Sequence, residues 1–358
     1  MKSSRQRAVG RGESIVCIPG LQTALCRLKA TICAIALFLL IIGCFARILH
    51  PVERDGRWAI LIVGSSGDPD LLQLYLKEIS DLRGVLENYL GFPRDQIVIL
   101  SEDPAKAPEI IQHTATLGDL RAVCRNLAGR THPDDMLFVF VEGHGSYDGQ
   151  TYKLNLPGPD AAGEELASML YSIPARQFVI VNATSCSGGS IAAFSRKGTV
   201  LISATKSGME KNRTHMGRYF VDALQENAAD SDKNGRISMM EAFTFAKQKV
   251  EGYYTSEGSM LTEHPVLDDT GDGKGQVSPS PENGEGLVAR TVFLDKGVST
   301  VAGILSPEQR DMEREARELE NQIQALKYAK SKMPEAEYEK QLEVLLLRLA
   351  KINAKLPK

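Results

Sequence analysis

Two residues in this sequence are of the types that together make a nucleophile. His144 lies in Glu142-Gly143-His144-Gly145-Ser146, and Cys186 in Asn182-Ala183-Thr184-Ser185-Cys186-Ser187-Gly188-Gly189. A thiol becomes an effective nucleophile near neutral pH when an imidazole accepts its proton or stabilises the thiolate. Glycines beside both residues let the backbone approach a substrate carbonyl, and backbone N–H groups there can stabilise an oxyanion. Either residue alone is a weak signal, because free cysteine is often buried and histidine near a turn is often a plain loop residue. Cys124 is the control. It lies inside a helical pattern, LRAVCRNLAG, and reads as core.

The two residues gain weight from the elements that would position them. Apolar runs at 58–63 (WAILIV), 96–100 (QIVIL), 136–141 (MLFVFV), 178–181 (FVIV), 200–203 (VLIS) and 291–294 (TVFL) read as six strands. Between them, 71–90, 117–127 and 165–173 carry apolar residues at helical spacing. Continuous apolar strands alternating with helices predict an α/β fold, with a mainly parallel sheet covered on both faces. In such sheets ligands and chemistry collect at the carboxyl ends of the strands. His144 follows the third strand and Cys186 the fourth, so they can face one crevice.

A second constellation reads as a cation loop. The stretch 230–241 (DSDKNGRISMME) offers oxygen ligands at its first, third, fifth and twelfth positions, a glycine at the sixth and a backbone carbonyl at the seventh. Asp230, Asp232, Asn234, the Arg236 carbonyl and Glu241 meet the requirements of an EF-hand, with Ser238 at the ninth position binding directly or through water. Residues 220–225 and 239–250 read as its flanking helices, and Ca2+ is the expected cofactor. The later segment 268–273 (DDTGDG) lacks an acidic twelfth residue and reads as an irregular calcium loop or, the preferred reading, a solvated turn. His113, His132 and His215 have no metal-ligand spacing to one another or to cysteine, so no zinc site is expected. His264 could also reach the site, but His144 has the better context.

The chain has 358 residues, 43% hydrophobic and 24% charged, which is ordinary globular composition. With 42 basic against 45 acidic residues it lacks the basic footprint of a nucleic-acid binder. Residues 30–46 carry no charge and follow Lys2, Arg5, Arg7, Arg11, Arg27 and Lys29, the layout of an export signal with its basic side in the cytoplasm. Such a run rises roughly 25 Å as a helix, at the short end for a bilayer. Signal anchor, cleaved signal peptide and lipidation at Cys44 (in Ile41-Ile42-Gly43-Cys44) are all open. Each places the rest outside the cytoplasmic membrane, in the cell envelope or periplasm. At the other end, Met312, Ala316, Leu319, Ile323 and Leu326 alternate steps of four and three. Pro334 interrupts this seam, and Tyr338, Leu342, Leu345, Leu349 and Ile352 resume it. A helical hairpin or coiled coil is expected over 301–358, behind a leader at 1–50 and a main domain at 51–300, and a second chain or other partner could pair with it.

Strand-His-Gly followed by strand-Ser-Cys-x-Gly-Gly resembles the caspase-like cysteine peptidases, and most closely their bacterial legumain-type branch. Segments 58–67 (WAILIVGSSG) and 86–100 (LENYLGFPRDQIVIL) resemble that branch as well, so the likeness spans about 57–296. It implies a three-layer caspase-like sandwich, a protein or peptide substrate, Cys186 as nucleophile and His144 as general base and acid. The N–H groups of Gly145 and Cys186 would form the oxyanion hole. Legumains carry an acidic residue two places before the nucleophile, where this chain has Thr184. They also carry an Arg-His pair after the first strand, which 65–74 (SSGDPDLLQL) lacks. A small neutral pocket lined by Thr184, Ser203 and Thr205 is the expectation instead. Self-cleavage in 275–286 (GQVSPSPENGEG), a non-catalytic envelope scaffold, and transpeptidation through the same Cys-His pair are further readings the resemblance allows.

Overall fold

The computed structural model describes residues 54–296, apart from 227 and 281, and from 308 to 356 all but 310, 311, 313, 314, 317, 318, 321, 324, 325, 328, 329, 331 and 332. The expected leader, including 30–46 and Cys44, lies outside the described residues. Among the described residues no helix is long and apolar enough to cross a membrane. Asp55–Lys358 form one unit, which carries every element named below.

Its frame is a seven-stranded sheet. In chain order the strands are β1 (Arg57–Val63), β2 (Ile97–Ser101), β3 (His113–Thr114), β4 (Met136–Glu142), β8 (Gln177–Asn182), β9 (Thr199–Ser203) and β10 (Val266–Asp268), arranged β10-β9-β8-β4-β1-β2-β3. All neighbours run parallel except β10, which is antiparallel to β9. Strand order reverses between β1 and β4, the kind of switch point beside which a crevice opens. A small antiparallel sheet stands just after β4, made of β5 (Gly145–Tyr147), β6 (Tyr152–Leu154) and β7 (Ala161–Ala162).

The alternation of a strand sends successive side chains to opposite faces, and here both faces are apolar. Ala59, Leu61, Phe138 and Phe140 meet one helical layer: α1 (Pro69–Gly84), α5 (Met216–Ala223) and α6 (Met239–Ser256). Trp58, Ile60, Leu137 and Val139 meet the other: α2 (Leu117–Ala128), α3 (Gly163–Tyr171) and α4 (Ile191–Phe194). Each fully buried Leu, Ile or Phe stabilises the sandwich by about 1.5–3 kcal/mol before chain entropy is set against it. The expected α/β three-layer arrangement is present, and Cys124 is buried in the second layer's core as read.

Two expectations need correcting. Residues 291–294 are not a strand. Phe293 makes one isolated bridge to Ser238, while Val292 and Leu294 are buried against the α5–α6 layer, so their apolarity reflects packing of an irregular segment. The sheet's last strand is Val266–Asp268, too short and too close to Pro265 to show a period. The single helix read over 71–90 ends at Gly84 and passes into a π-helical turn, Val85–Tyr89. Asp68 caps its start by accepting from the Asp70 and Leu71 N–H groups, with Pro69 following.

At the C-terminus, helical residues between 308 and 327 pack against α7 (Glu335–Asn353). Ala316, Leu319 and Ile352 form the seam with Met312, Leu345 and Leu349 beside them, and Arg348 pairs with Glu315 at 2.9 Å. This is the hairpin expected from the alternating steps.

Candidate active site

Strands β4 and β8 are paired through Val141 and Asn182, so the segments leaving their carboxyl ends start side by side. After β4, the His144 N–H donates to the Ser65 carbonyl (3.0 Å) and the His144 carbonyl accepts from Asn155 (3.0 Å), fixing the backbone on both sides. The imidazole lies beside Gly67 in the loop that follows β1. After β8, Ser185 and Gly145 clasp. The Gly145 N–H donates to Ser185 Oγ (3.1 Å), and that hydroxyl donates back to the Gly145 carbonyl (3.0 Å). The residue after His144 and the residue before Cys186 are thus in direct contact. Only glycine fits at 145, because a Cβ there would collide with the Ser185 carbonyl and the Tyr152 ring.

Cys186 itself is left-handed, with φ 58° and ψ 6°. For a residue with a side chain that conformation costs about 1–2 kcal/mol and persists only where the surroundings impose it. Here the Cys186 N–H donates to the Glu210 carbonyl (2.8 Å), and its own carbonyl accepts from Gly189 (2.9 Å). The side chain is 2% exposed. Burial pushes the thiol's pKa up, and the Lys211 ammonium pulls it back down. Cys124 has no such offset, and burial pushes it up to about 12.

The three residues expected to line a substrate pocket are placed differently. Thr184 is fully buried, its hydroxyl bonded to Tyr152 Oη (2.7 Å) and to Asn182 Oδ1 (2.8 Å). Ser203 donates to the Thr205 carbonyl (2.9 Å), and Thr205 Oγ1 accepts from the Gly188 N–H (2.7 Å) and sits 3.2 Å from Ser187 Oγ. These hydroxyls are small enough to be swallowed by the core, where they brace the nucleophile loop instead of facing a substrate. Asn182 adds to the brace by donating to Ser190 Oγ (3.0 Å). An open cleft does lie nearby, between 209–212 and Leu261, Thr262 and His264. His264 points into it and binds Glu210, with Nδ1 2.6 Å from Oε1. Nothing in the local pattern of either residue announces that pair.

Behind His144 stands a group of buried acids. Glu142 closes β4, and one of its carboxylate oxygens has no hydrogen-bond partner. Burial, then the neighbouring Glu78, pushes its pKa far up. Burial likewise lifts Glu78 to about 7 and Glu263 to about 8, although Glu263 accepts from the His215 and Met216 N–H groups (both 2.8 Å).

The segment 230–241 brings together the acids expected to ligate a cation. Carboxylate oxygens of Asp230, Asp232 and Glu241 lie within 4.8 Å of one another. Ca2+ ligands sit about 2.4 Å from the ion, so these three donors fit around one. Gly235 is left-handed (φ 81°), Asn234 Oδ1 accepts from the Arg236 N–H (2.8 Å), and the Arg236 side chain is turned away onto Asp295 (3.0 Å). Ser238 caps α6 in a capping box with Glu241, which commits its hydroxyl and leaves the water-bridged route for its expected part as a ligand. The segment 268–273 is not a solvated turn. Asp268 and Asp269 are buried, and with Glu285 they accept from the N–H groups of Gly271, Gly286 and Asp269. The expected self-cleavage segment is tied down by the same network, with Gln276 and Leu267 exchanging backbone hydrogen bonds.

With this geometry in place, comparison with known proteins adds a family. The model of the Peptidase C13 family matches residues 117–266, a stretch that contains both His144 and Cys186. No curated protein matches. Among solved structures, the crystal structure of drICE is similar at a TM-score of 0.37 and 11% identity, over 62% of this chain and 90% of that one. Raptor from Chaetomium thermophilum is similar at 0.31 and 10%, over 48% of this chain and 17% of that one. The chain resembles the legumain-type cysteine peptidases, as its motifs indicate, and the family match supports a cysteine peptidase.

Proposed function

We propose that this chain is an exported, membrane-tethered cysteine endopeptidase that binds calcium. The observation that carries the reading is the clasp between Gly145 and Ser185, which brings the His144 and Cys186 loops together at the crevice end of the sheet. In the reaction, the Cys186 thiol gives its proton to His144 and the thiolate attacks a peptide carbonyl. The tetrahedral oxyanion collapses, His144 returns the proton to the leaving amine, and a thioester remains. Water, deprotonated by His144, then hydrolyses the thioester and frees Cys186. An amine in place of water would make the same intermediate a transpeptidase's.

Asp230, Asp232, Asn234, the Arg236 carbonyl and Glu241 would hold Ca2+. The ion would neutralise three carboxylates at the junction of α5 and α6, against which 292–295 is packed. The uncharged run at 30–46 and the basic residues before it support export and tethering, with Cys44 as the lipid site if the leader is cleaved there. On α7, Val344, Leu346 and Leu347 are exposed and would suit a partner helix or a second copy.

The test pairs the full chain with Cys186→Ala in a peptide library, with calcium and with chelator, reading new termini by mass spectrometry. Cuts made only by the Cys186 chain are expected, fading on chelation. Identical termini from both chains would end the peptidase reading.

A further inference from the structure

The two backbone N–H groups that flank the thiol are both occupied by the protein itself. The Cys186 N–H donates to the Glu210 carbonyl and the Gly145 N–H to Ser185 Oγ. Glu210 belongs to a strap, 206–214, that follows β9 and runs over the nucleophile loop. The strap lies so close that a Cβ at Gly188 would collide with the backbone of Lys206 and Ser207. Its far end is tied by Thr214, whose hydroxyl donates to the Ala183 carbonyl. In between, one side chain does most of the holding. The Glu210 carboxylate meets His264 Nδ1 (2.6 Å) and accepts from the His264 N–H (3.2 Å) and the Lys206 N–H (3.1 Å). Around it the side chains of Lys206, Lys211 and Asn212 are exposed, and Met209 is 66% exposed.

We propose that the strap is an autoinhibitory cover, and that Glu210 is the positioning residue that latches it to His264. The proposal rests on the peptidase reading and adds a regulated step to it. An oxyanion must sit within hydrogen-bond reach of its donors, where the Glu210 carbonyl now stands against the Cys186 N–H. One N–H cannot serve two strong acceptors at full strength, so a substrate carbonyl has to displace the strap before the tetrahedral intermediate is stabilised. The cleft between the strap and Leu261, Thr262 and His264 is the space beside which that exchange takes place. Any event that breaks the Glu210–His264 contact raises the population of the open form.

The test uses the full chain and its Glu210→Ala and His264→Gln variants. A peptide aldehyde is the probe, because its hemithioacetal oxygen needs the hole, and residue-resolved amide hydrogen exchange reads the Cys186 N–H directly. The expected result is a protected Cys186 amide in the unmodified chain, lost in both variants, and aldehyde binding about tenfold tighter in them, the scale of one hydrogen bond to a charged group. A Cys186 amide that exchanges freely in the unmodified chain overturns the proposal. So does unchanged or weaker aldehyde binding in variants that melt normally. The exchange measurement on the unmodified chain stands even where a variant does not fold. Cleavage separates the two readings: a protected amide in the unmodified chain, with no cutting even by the Glu210→Ala and His264→Gln variants in which that protection is lost, would refute the peptidase and not the cover.

Discussion

At the scale of single residues, Cys186 is held in a left-handed backbone that suits glycine and penalises every other side chain (φ 58°). Its nucleophile is kept at a conformational cost, and that cost can be measured apart from activity. Cys186→Ala keeps the strain and Cys186→Gly relieves it, so the usual order of stability should invert. The glycine variant is expected to melt roughly 2–4 °C above the alanine variant, the shift about 1 kcal/mol makes in a domain of some two hundred residues. Thermal unfolding of the two inactive chains decides it, and an alanine variant as stable as the glycine one would mean the loop relaxes. Position 145 makes the opposite demand. A Cβ in Gly145→Ala would meet the Ser185 carbonyl and the Tyr152 ring, parting the two loops, and peptide cleavage should fall at least about a hundredfold, as misplacement of reacting groups by about 1 Å does. Peptide hydrolysis at matched folded fraction checks this. The juxtaposition of the His144 and Cys186 loops was legible because both residues follow apolar strands that run side by side. Glu210 and Ser185 were not, since serine and glutamate are common in loops and their partners, Gly145 and His264, lie 40 and 54 residues away along the chain.

At the scale of elements, the loop 230–241 joins α5 to α6, and its acids Asp230, Asp232 and Glu241 lie close together while the Arg236 guanidinium turns onto Asp295. Glu241 caps α6 through Ser238, and its carboxylate also lies within 4.8 Å of those of Asp230 and Asp232, where the proposed calcium ion would sit. Glu241→Gln separates cap from charge, since glutamine also completes a capping box but brings no charge. Without calcium the variant should melt close to the parent. With calcium at about a hundred times the dissociation constant, the parent should gain about 2.7 kcal/mol and the variant little of it. Equal calcium-dependent shifts in both chains, read by calorimetry, would remove Glu241 from the site. The spacing predicts a calcium loop here because ligand geometry fixes which positions carry oxygen, and the carboxylates it names do lie together. The same kind of reading failed at 268–273, where the acids are satisfied by backbone N–H groups from Gly271 and from Gly286, beyond the segment. It failed again at 291–294, where burial against Ser238 and α6 makes an irregular segment look like a strand.

At the scale of the whole molecule, the three-layer sandwich was legible because both faces of its strands are apolar, whereas the pairing partners of its buried charges were not. Glu78 comes from α1, Glu142 from β4 and Glu263 from the segment before β10, and no local pattern links them. Arg213 is the cation that acts on all three. Burial raises Glu78 to about 7 and Glu263 to about 8, and sends Glu142 far up, while Glu285 rises to about 7 elsewhere. The sign follows from proton counting. Between the ordinary value of 4.5 and these raised values, the folded chain binds more protons than the unfolded one, so stability falls as pH rises. His215, packed on Tyr253 and lowered to about 4 by burial with Arg213 and Arg218, works the other way from pH 6.5 downward. The four acids together outweigh it. The melting temperature should therefore be higher near pH 5 than near pH 8, and Glu263→Gln should flatten the upper part of that slope. A melting temperature that climbs from pH 5 to pH 8 would show that the acids are ionised in the folded chain. Catalysis pulls in the opposite direction, because the Cys186 thiolate becomes scarcer as pH falls. Activity is then expected to peak at a higher pH than stability, and parallel pH profiles of melting and of aldehyde-sensitive cleavage would expose the gap.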